Sequence, residues 1–448
     1  MIIENLTDNS NIEEKYCKQY IAEARCLRVM VYSWMVRRWG GVMLVDKLMT
    51  PSDEMLMSRS TEEEMYRFMV NELKLAISDL PSTANKERFT KGAALTLLTR
   101  VSLEGGLYDE TIAAGKQLFE GEEAANWSID PEYRKMFGSF SYPETSPEIQ
   151  FYFTQGDKKQ YCENLLPMYV AGTLAPGRNI MGPAFNDKVD AWCANWPSHE
   201  LTEAYLAIDV EGDQTAKHYT ETAKWKNAPV KTASIMYSNR DKRLDATICY
   251  DGTTYFTSPI EMDTKGNCYW ENTQNHGFMT QSGYMWRKYI YELDGTDALP
   301  GYQILYDFRY ILFRLGEACL NYAEALGRKG EIDKAIRMMN MTRTQHGGLP
   351  ALPESSSEAD FWKYYKIERR VELALEGDRY FSVIRWAKVE NATSVSEFNK
   401  RTHCIIIDGD DDTFTLIDTS HGSSTGSDRV FSWPRRMYFP LPESELMS

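Results

Sequence analysis

The sequence predicts a mainly α fold: helical hairpins of tetratricopeptide type that carry a loop-rich half with short strands. Two observations lead there. Apolar residues recur at helical spacing through the first 125 residues and again from Tyr306 to Trp386. One helix–turn–helix pattern also occurs twice. "EGGLYDETI" at Glu104 matches "RKGEIDKAI" at Arg328 at an offset of 224, aligning Gly106 with Gly330, Asp109 with Asp333 and Ile112 with Ile336. Each glycine falls between two helices, where a positive φ is wanted, and a repeated hairpin of this kind is the mark of stacked helical repeats.

The elements follow in order. From Ile12 to Trp39, Tyr16, Tyr20, Ala24, Leu27, Val31, Trp34 and Met35 mark a long helix, stopped by Gly40-Gly41 and followed by an extended "VMLV". A second helix starts at "STEEEMY", where Thr61 and Glu64 form a capping box, and Pro81 ends it. The pair Thr90 to Leu103 and Asp109 to Phe119 comes next. Residues 126–300 change character, with Gly, Pro, Asn, Ser and aromatics in "YPETSPEIQFYFT", "APGRNIMGPAFND", "WCANWPS" and "NCYWENTQNHGF". One helix is expected there, Ser198 to Ile208, capped by Ser198. The expected organisation is therefore residues 1–125 helical, 126–300 loop-rich and ligand-binding, and 301–448 helical with a tail, all forming one unit. Long irregular loops on a rigid helical frame are where binding usually resides.

Composition narrows the function classes. The chain has 448 residues, 43% hydrophobic and 26% charged, in the range of a globular protein with a large core. Its formal charge of -15, with no basic run, argues against nucleic acid. Of the 27 Tyr, 18 Phe and 11 Trp some must be core, and the eleven tryptophans leave room for several on a binding surface. Eight cysteines show neither CxxC nor zinc spacing, and Cys319 on an apolar helix reads as a small buried hydrophobe. No apolar run is long enough to span a membrane, "MIIENLTDNSNIEEKYC" does not read as a signal peptide, and Cys17 after "EEKY" is no lipidation site.

Several segments, in order along the chain, resemble the SusD/RagB family of nutrient-uptake outer-membrane proteins. They are "EARCLRVMVYSWMVRRWGGVMLVDKLM", "TKGAALTLLTRVSLEGGLYDETI", "RDKRLDATI", "GYMWRKYI", "FRYILFRLGEACLNYAEALGRKGEIDKAIRMMNMTR", "IERRVELALEGDRYFSVIRW" and the tail "YFPLPESEL". The resemblance implies a SusD-like fold and a non-catalytic, glycan-binding lid on a SusC-like TonB-dependent transporter. It implies no cofactor. It also implies an outward-facing lipoprotein of the outer membrane, whose lipid anchor lies outside this chain, since only a short stretch precedes "EARCLR". A peptide-capturing lid or a glycoside hydrolase are the rivals.

"IERRVELALEGDRYFSVIRW" sets Glu368, Glu372 and Glu376 four apart, with Ile367, Val371, Ala374 and Leu375 as its core face. Carboxylates so spaced repel unless paired. Arg369 three before Glu372 and Arg379 three after Glu376 predict an Arg/Glu network between helices, with Gly377 at a packed corner. A hydrolase would need two carboxylates about 5–9.5 Å apart across a cleft, and the stripe supplies no cleft. HExxH, GxSxG, Walker and GxGxxG patterns do not occur. "DGDDDTFTLIDTS" lacks the glycine and glutamate of a calcium loop, having Thr413 and Thr419 there, and reads as a solvated acidic turn.

The candidate ligand-binding residues are aromatic and amide side chains of the loops. Sugars offer apolar C–H faces to flat rings and hydroxyls to amides and charged groups. "WCANW" supplies Trp192, Asn195 and Trp196; "YSNRDKR" supplies Tyr237 and Arg240; "CYWENTQN" supplies Tyr269, Trp270 and Asn272. Core packing is the competing reading for each of the tryptophans, and Trp286 and Trp386 are read as structural.

Overall fold

The long N-terminal helix spans Glu14–Trp39, about 39 Å at 1.5 Å per residue. Its inner face is Ala22, Cys26, Val29, Met30, Ser33 and Val36, a 3-4 spacing that keeps one stripe inward. Gly40, at φ 72°, turns the chain away. This is a computed structural model, which describes residues 1–7, 9, 11–50, 52–53, 57–155, 193–256, 258–271, 280–294, 308–418 and 430–441. The next helix, Glu62–Ile77, opens on the expected capping box: Thr61 Oγ1 accepts from the Glu64 amide at 3.2 Å, and Glu64 Oε2 accepts from the Thr61 amide at 2.8 Å. It ends before Pro81, at Ile77.

The two predicted hairpins are present with matching geometry. The first pairs Lys91–Glu104 with Tyr108–Phe119, and the second pairs Leu315–Arg328 with Ile332–Gln345. Gly106 has φ 69° and Gly330 φ 79°. Each turn is closed by the same backbone bond at the same offset: Leu107 to Ser102 at 2.8 Å and Glu331 to Leu326 at 3.0 Å. The hairpins pack on one another. A Cβ on Gly115 would run into the Tyr322 ring, so glycine there is a condition of close approach. The helices Glu358–Glu372 and Arg379–Val389 complete the frame. One hydrophobic core runs from Ala22 through Leu98, Tyr322 and Phe361 to Trp386, so the first and last parts of the chain share it. Cys319 lies fully buried in this core, and Trp286 and Trp386 are buried as well. The described cysteines are free thiols.

Two seven-residue strands, Ile149–Gln155 and Phe308–Arg314, pair antiparallel and join the middle of the chain to the frame. The middle itself corrects the expectation of a single helix. That helix is shorter, His199–Ala204, and Ser198 makes no side-chain capping bond. Tyr205 turns extended and Ala207–Ile208 pairs instead with Ala216–Lys217. Further short helices occur at Tyr133–Gly138, Ala223–Asn227, Ala233–Met236 and Lys242–Thr247. At four to six residues they contain fewer than two helical turns, so the apolar spacing never repeats and periodicity could not mark them. The acidic run Asp408–Asp412 turns a hairpin between Cys404–Ile407 and Phe414–Ile417, with Lys265 paired to Asp410. Among the described residues no helix is long and apolar enough to cross a membrane.

Candidate functional site

The glutamate stripe folds into a buried ion network. Glu372 is its hub. Oε1 accepts from Arg314 Nη1 at 2.5 Å and lies 2.9 Å from His346 Nδ1, while Oε2 accepts from Arg243 Nη1 at 2.7 Å. His346 Nε2 lies 3.0 Å from Glu148, which also accepts from Arg314 at 2.9 Å. Glu368 takes Arg243 through two bonds of 2.5 and 2.9 Å. Glu376 accepts from Arg314 at 2.8 and 2.7 Å and from Lys288 at 2.7 Å. Arg243, Arg314, His346, Glu148, Glu368 and Glu372 are all buried.

Electrostatics fix the protonation states. Burial raises the Glu372 carboxyl, but His346 and Arg314 outweigh it and hold the group well below the usual range. Burial lowers His346, yet Glu372 and Glu148 raise its pKa to about 10, so the ring is an imidazolium bridging two carboxylates. The ligand-type atoms of Glu148, His346 and Glu372 lie within 4.8 Å of one another, as in a metal site. A doubly protonated imidazole has no lone pair for a metal, and Arg314 and Arg243 already neutralise the carboxylates.

The network was expected, but its pairings differ from those the spacing suggested. Arg369 binds Asp378, with Nη2–Oδ1 at 2.7 Å, and not Glu372. Arg379 binds Glu397 at 2.6 Å, and not Glu376. For Glu376 the cause is the helix end: the helix stops at Glu372, and Leu375 and Gly377 take φ of 62° and 77°, so Glu376 lies in a turn where three-residue helical proximity no longer holds. Arg369 and Glu372 share the helix, but Glu372 is taken by Arg243, Arg314 and His346, and Arg369 turns to Asp378. Sequence reasoning also missed Glu148, Arg243, Arg314 and His346. They come from four separate segments, and the only signal was the presence of charges inside apolar runs such as "FRYILFRLGEACL".

Two of the aromatic loops share a root. Cys193 of "WCANW" and Cys268 of "NCYWE" are buried in one cluster with Cys249, Tyr255, Ile260, Met285 and Trp286. Trp196 is half-buried and packs on that cluster. Asn195 is exposed, and its Oδ1 accepts from the buried Trp286 indole at 3.0 Å. Because an indole can only donate, this bond fixes the amide with its NH₂ group turned the other way. From Cys268 the chain leads to Tyr269 and Trp270, both half-buried, edge to face at 6.4 Å and 62°. Cys193 and Phe256, both in this cluster, have φ of 42° and 47°, a strained backbone that costs on the order of 1–3 kcal/mol each. Trp192 and Asn272 lie outside the described residues.

The remaining two candidates belong to a neighbouring cluster. The Tyr237 ring stacks on Tyr250 at 4.3 Å, and its hydroxyl lies 3.4 Å from that of Tyr284. Arg240 donates to the carbonyls of Tyr205, Met236 and Thr202 at 2.8, 2.7 and 2.5 Å. Its guanidinium thus holds the end of the His199–Ala204 helix.

This architecture is shared with known proteins. A family model described as the SusD family matches residues 168–448, and a second, described as starch-binding associating with outer membrane, matches residues 1–103. A SusD-like protein of Bacteroides ovatus is 22% identical over 468 aligned residues, covering 99% of this chain and 75% of that protein. The crystal structure of a SusD-like protein of Bacteroides fragilis superposes with a TM-score of 0.76 at 25% identity, over 100% of this chain and 81% of its own. A second protein of the same species, described as a SusD-like carbohydrate binding protein, gives 0.73 at 21% identity, over 100% of this chain and 82% of its own. With more than half its length matched by the first family model and its fold reproduced end to end, the chain belongs to the SusD family.

Proposed function

We propose that this chain is a non-catalytic glycan-binding protein that captures oligo- or polysaccharide and passes it to a SusC-like TonB-dependent transporter. The observation that carries the reading is the common root of the "WCANW" and "CYWE" loops: Trp196 packs on, and Asn195 accepts a hydrogen bond from, the buried cluster that also holds Cys268, from which the chain leads to the paired rings of Tyr269 and Trp270. Half-buried rings beside an outward amide are what a sugar's C–H faces and hydroxyls require. Trp192 and Asn272 extend the same two loops in sequence, and Tyr237 and Arg240 support them from the adjoining cluster. Membership of the SusD family and the carbohydrate-binding relative favour the same ligand class. The family description places it with the outer membrane. We take it to face outward there, lipid-anchored in its precursor.

Catalysis is disfavoured by the state of the glutamates. A glycosidase acid must hold a proton beside the substrate. Glu372 is buried and kept ionised by His346 and two arginines. Isothermal titration against a panel of soluble polysaccharides, with Tyr269→Ala/Trp270→Ala alongside, tests the reading. One glycan should bind, and the double variant should lose about tenfold or more in affinity while still folding. Reducing ends released by the pure protein would refute it, and binding of extended peptides with silence across the glycan panel would replace it with peptide capture.

A further inference from the structure

We propose a second ligand site on the helical frame, away from the aromatic loops, that takes a single carboxylated sugar: a hexuronate unit. The site is a cavity of about 310 Å³. It lies between the C-terminal turns of the Glu14–Trp39 helix, the strand Phe308–Arg314 and the turn that follows Glu372. That volume is at the small end of ligand pockets. Its walls include Trp34, Arg38, Tyr310, Glu376 and Phe381.

Matching the charges leaves one cation over. Glu317 is held by Arg100, Asp378 by Arg369, and Glu376 by Arg314 and Lys288, while Arg37 pairs with Glu104 at 2.9 Å. Arg38 has no carboxylate within ion-pair distance among the described residues. Its side chain donates to Trp34 O of its own helix at 3.0 Å. Burial, then the neighbouring Arg37, lower its pKa, as an uncompensated charge would show. The site therefore suits one negative charge, in a protein whose net charge of -15 would otherwise repel anions.

The other walls say what carries that charge. Phe381 already has Arg37 over its ring at 4.0 Å and Arg38 at 5.8 Å, which leaves Trp34 and Tyr310, both half-buried, as the platform for an apolar face. Glu376 accepts three hydrogen bonds of roughly four that a carboxylate can take, so it has room for one hydroxyl donor. A carboxylate for Arg38, a C–H face for the rings and a hydroxyl for Glu376 meet in one pyranose uronate. Choosing a sugar over other carboxylates rests on the glycan-binding reading above; the anion site does not.

Methyl glucuronide, methyl glucoside and acetate should be titrated against the wild type, Arg38→Gln, Arg38→Lys and Trp196→Ala, with thermal melts recorded for each. The glucuronide should bind about tenfold or more tighter than either control, as a charge-assisted hydrogen bond would give. Arg38→Gln should abolish that preference and Arg38→Lys should retain part of it. Glucoside binding as well as glucuronide, or preference surviving Arg38→Gln, would overturn the site. Acetate matching the glucuronide would reduce it to an anion site and overturn the sugar assignment. Loss in Trp196→Ala with Arg38→Gln unaffected would move the binding to the loops and overturn it too. The polysaccharide panel judges the loops separately, so either reading can fail while the other stands.

Discussion

The ion network around Glu372 and the loop pair around Trp196 are opposite solutions to placing costly side chains. In the network, charges that water would solvate are buried and every one is answered by another, from Glu148, Arg243, Arg314, His346 and Glu368. In the loops, rings that the core would welcome are left half outside it. The first arrangement is complete and has nothing to offer a ligand. The second is incomplete, and a sugar face would complete it. A cluster of carboxylates is thus a poor guide to chemistry until its partners are counted.

The comparison breaks most sharply at Glu372. Glu372→Ala leaves Arg314, Arg243 and His346 facing a cavity, and removing one partner of a buried ion network costs about 3–5 kcal/mol. Urea unfolding should show a loss of that order. A loss under about 1 kcal/mol would mean that the network is loosely held and that Glu372 is open to other roles.

A smaller effect follows from His346. Its folded pKa of about 10 lies above the 6.5 of a free imidazole, so its contribution is complete below pH 6.5 and is lost as pH rises towards 10. Lys288, lowered by burial to about 8, acts in the opposite sense above pH 8, where the unfolded chain keeps the proton that the folded one releases. The window from pH 6.5 to 8 therefore keeps Lys288 out, while His403, raised by its hydrogen bond to Glu200, slopes the same way, so the His346→Gln comparison separates the two histidines. The urea midpoint should fall across it in the wild type, and the slope should flatten in His346→Gln. Equal slopes would remove the imidazolium from the network.

The smallest effect concerns the repeat. Gly106→Ala and Gly330→Ala each meet open space, so their cost is the positive φ alone, about 1 kcal/mol. Equal losses are expected because the two turns share one geometry. A large difference would show that the repeat is one of sequence and not of energetics.

The hairpins were legible because each carried two agreeing signals, a glycine at the turn and a fixed offset, and the Glu62–Ile77 helix was legible from the capping box at Thr61. The stripe was legible as a network and not as a set of pairs. Spacing reports only what a continuous helix brings together: the chain leaves the helix at Glu372, before Glu376, and partners from other segments take Glu372 ahead of Arg369. Arg243 and His346 were invisible because no local pattern marks a charge whose partner lies 129 or 26 residues away. In the loops, the residue types "WCANW" and "CYWE" were readable. Their common root was not, since it depends on Cys193 and Cys268 meeting in one cluster. Tyr237 and Arg240 looked like ligand groups by type, but one is stacked and the other donates to backbone carbonyls.

The ladder between Ile149–Gln155 and Phe308–Arg314 has a consequence for how such a protein can change. Gln155 and Phe308 are direct partners, so the chain leaves the frame and returns to it at adjacent points. Everything between them is a closed excursion, and lengthening such an excursion is cheap: about 0.6 kcal/mol for each doubling when it is flexible. The ladder works as a mount, and Arg243 and Lys288, both on the excursion, pin it to the frame's glutamates. A lineage could trade the exposed loops between those pins for others while the helices beneath keep the same core.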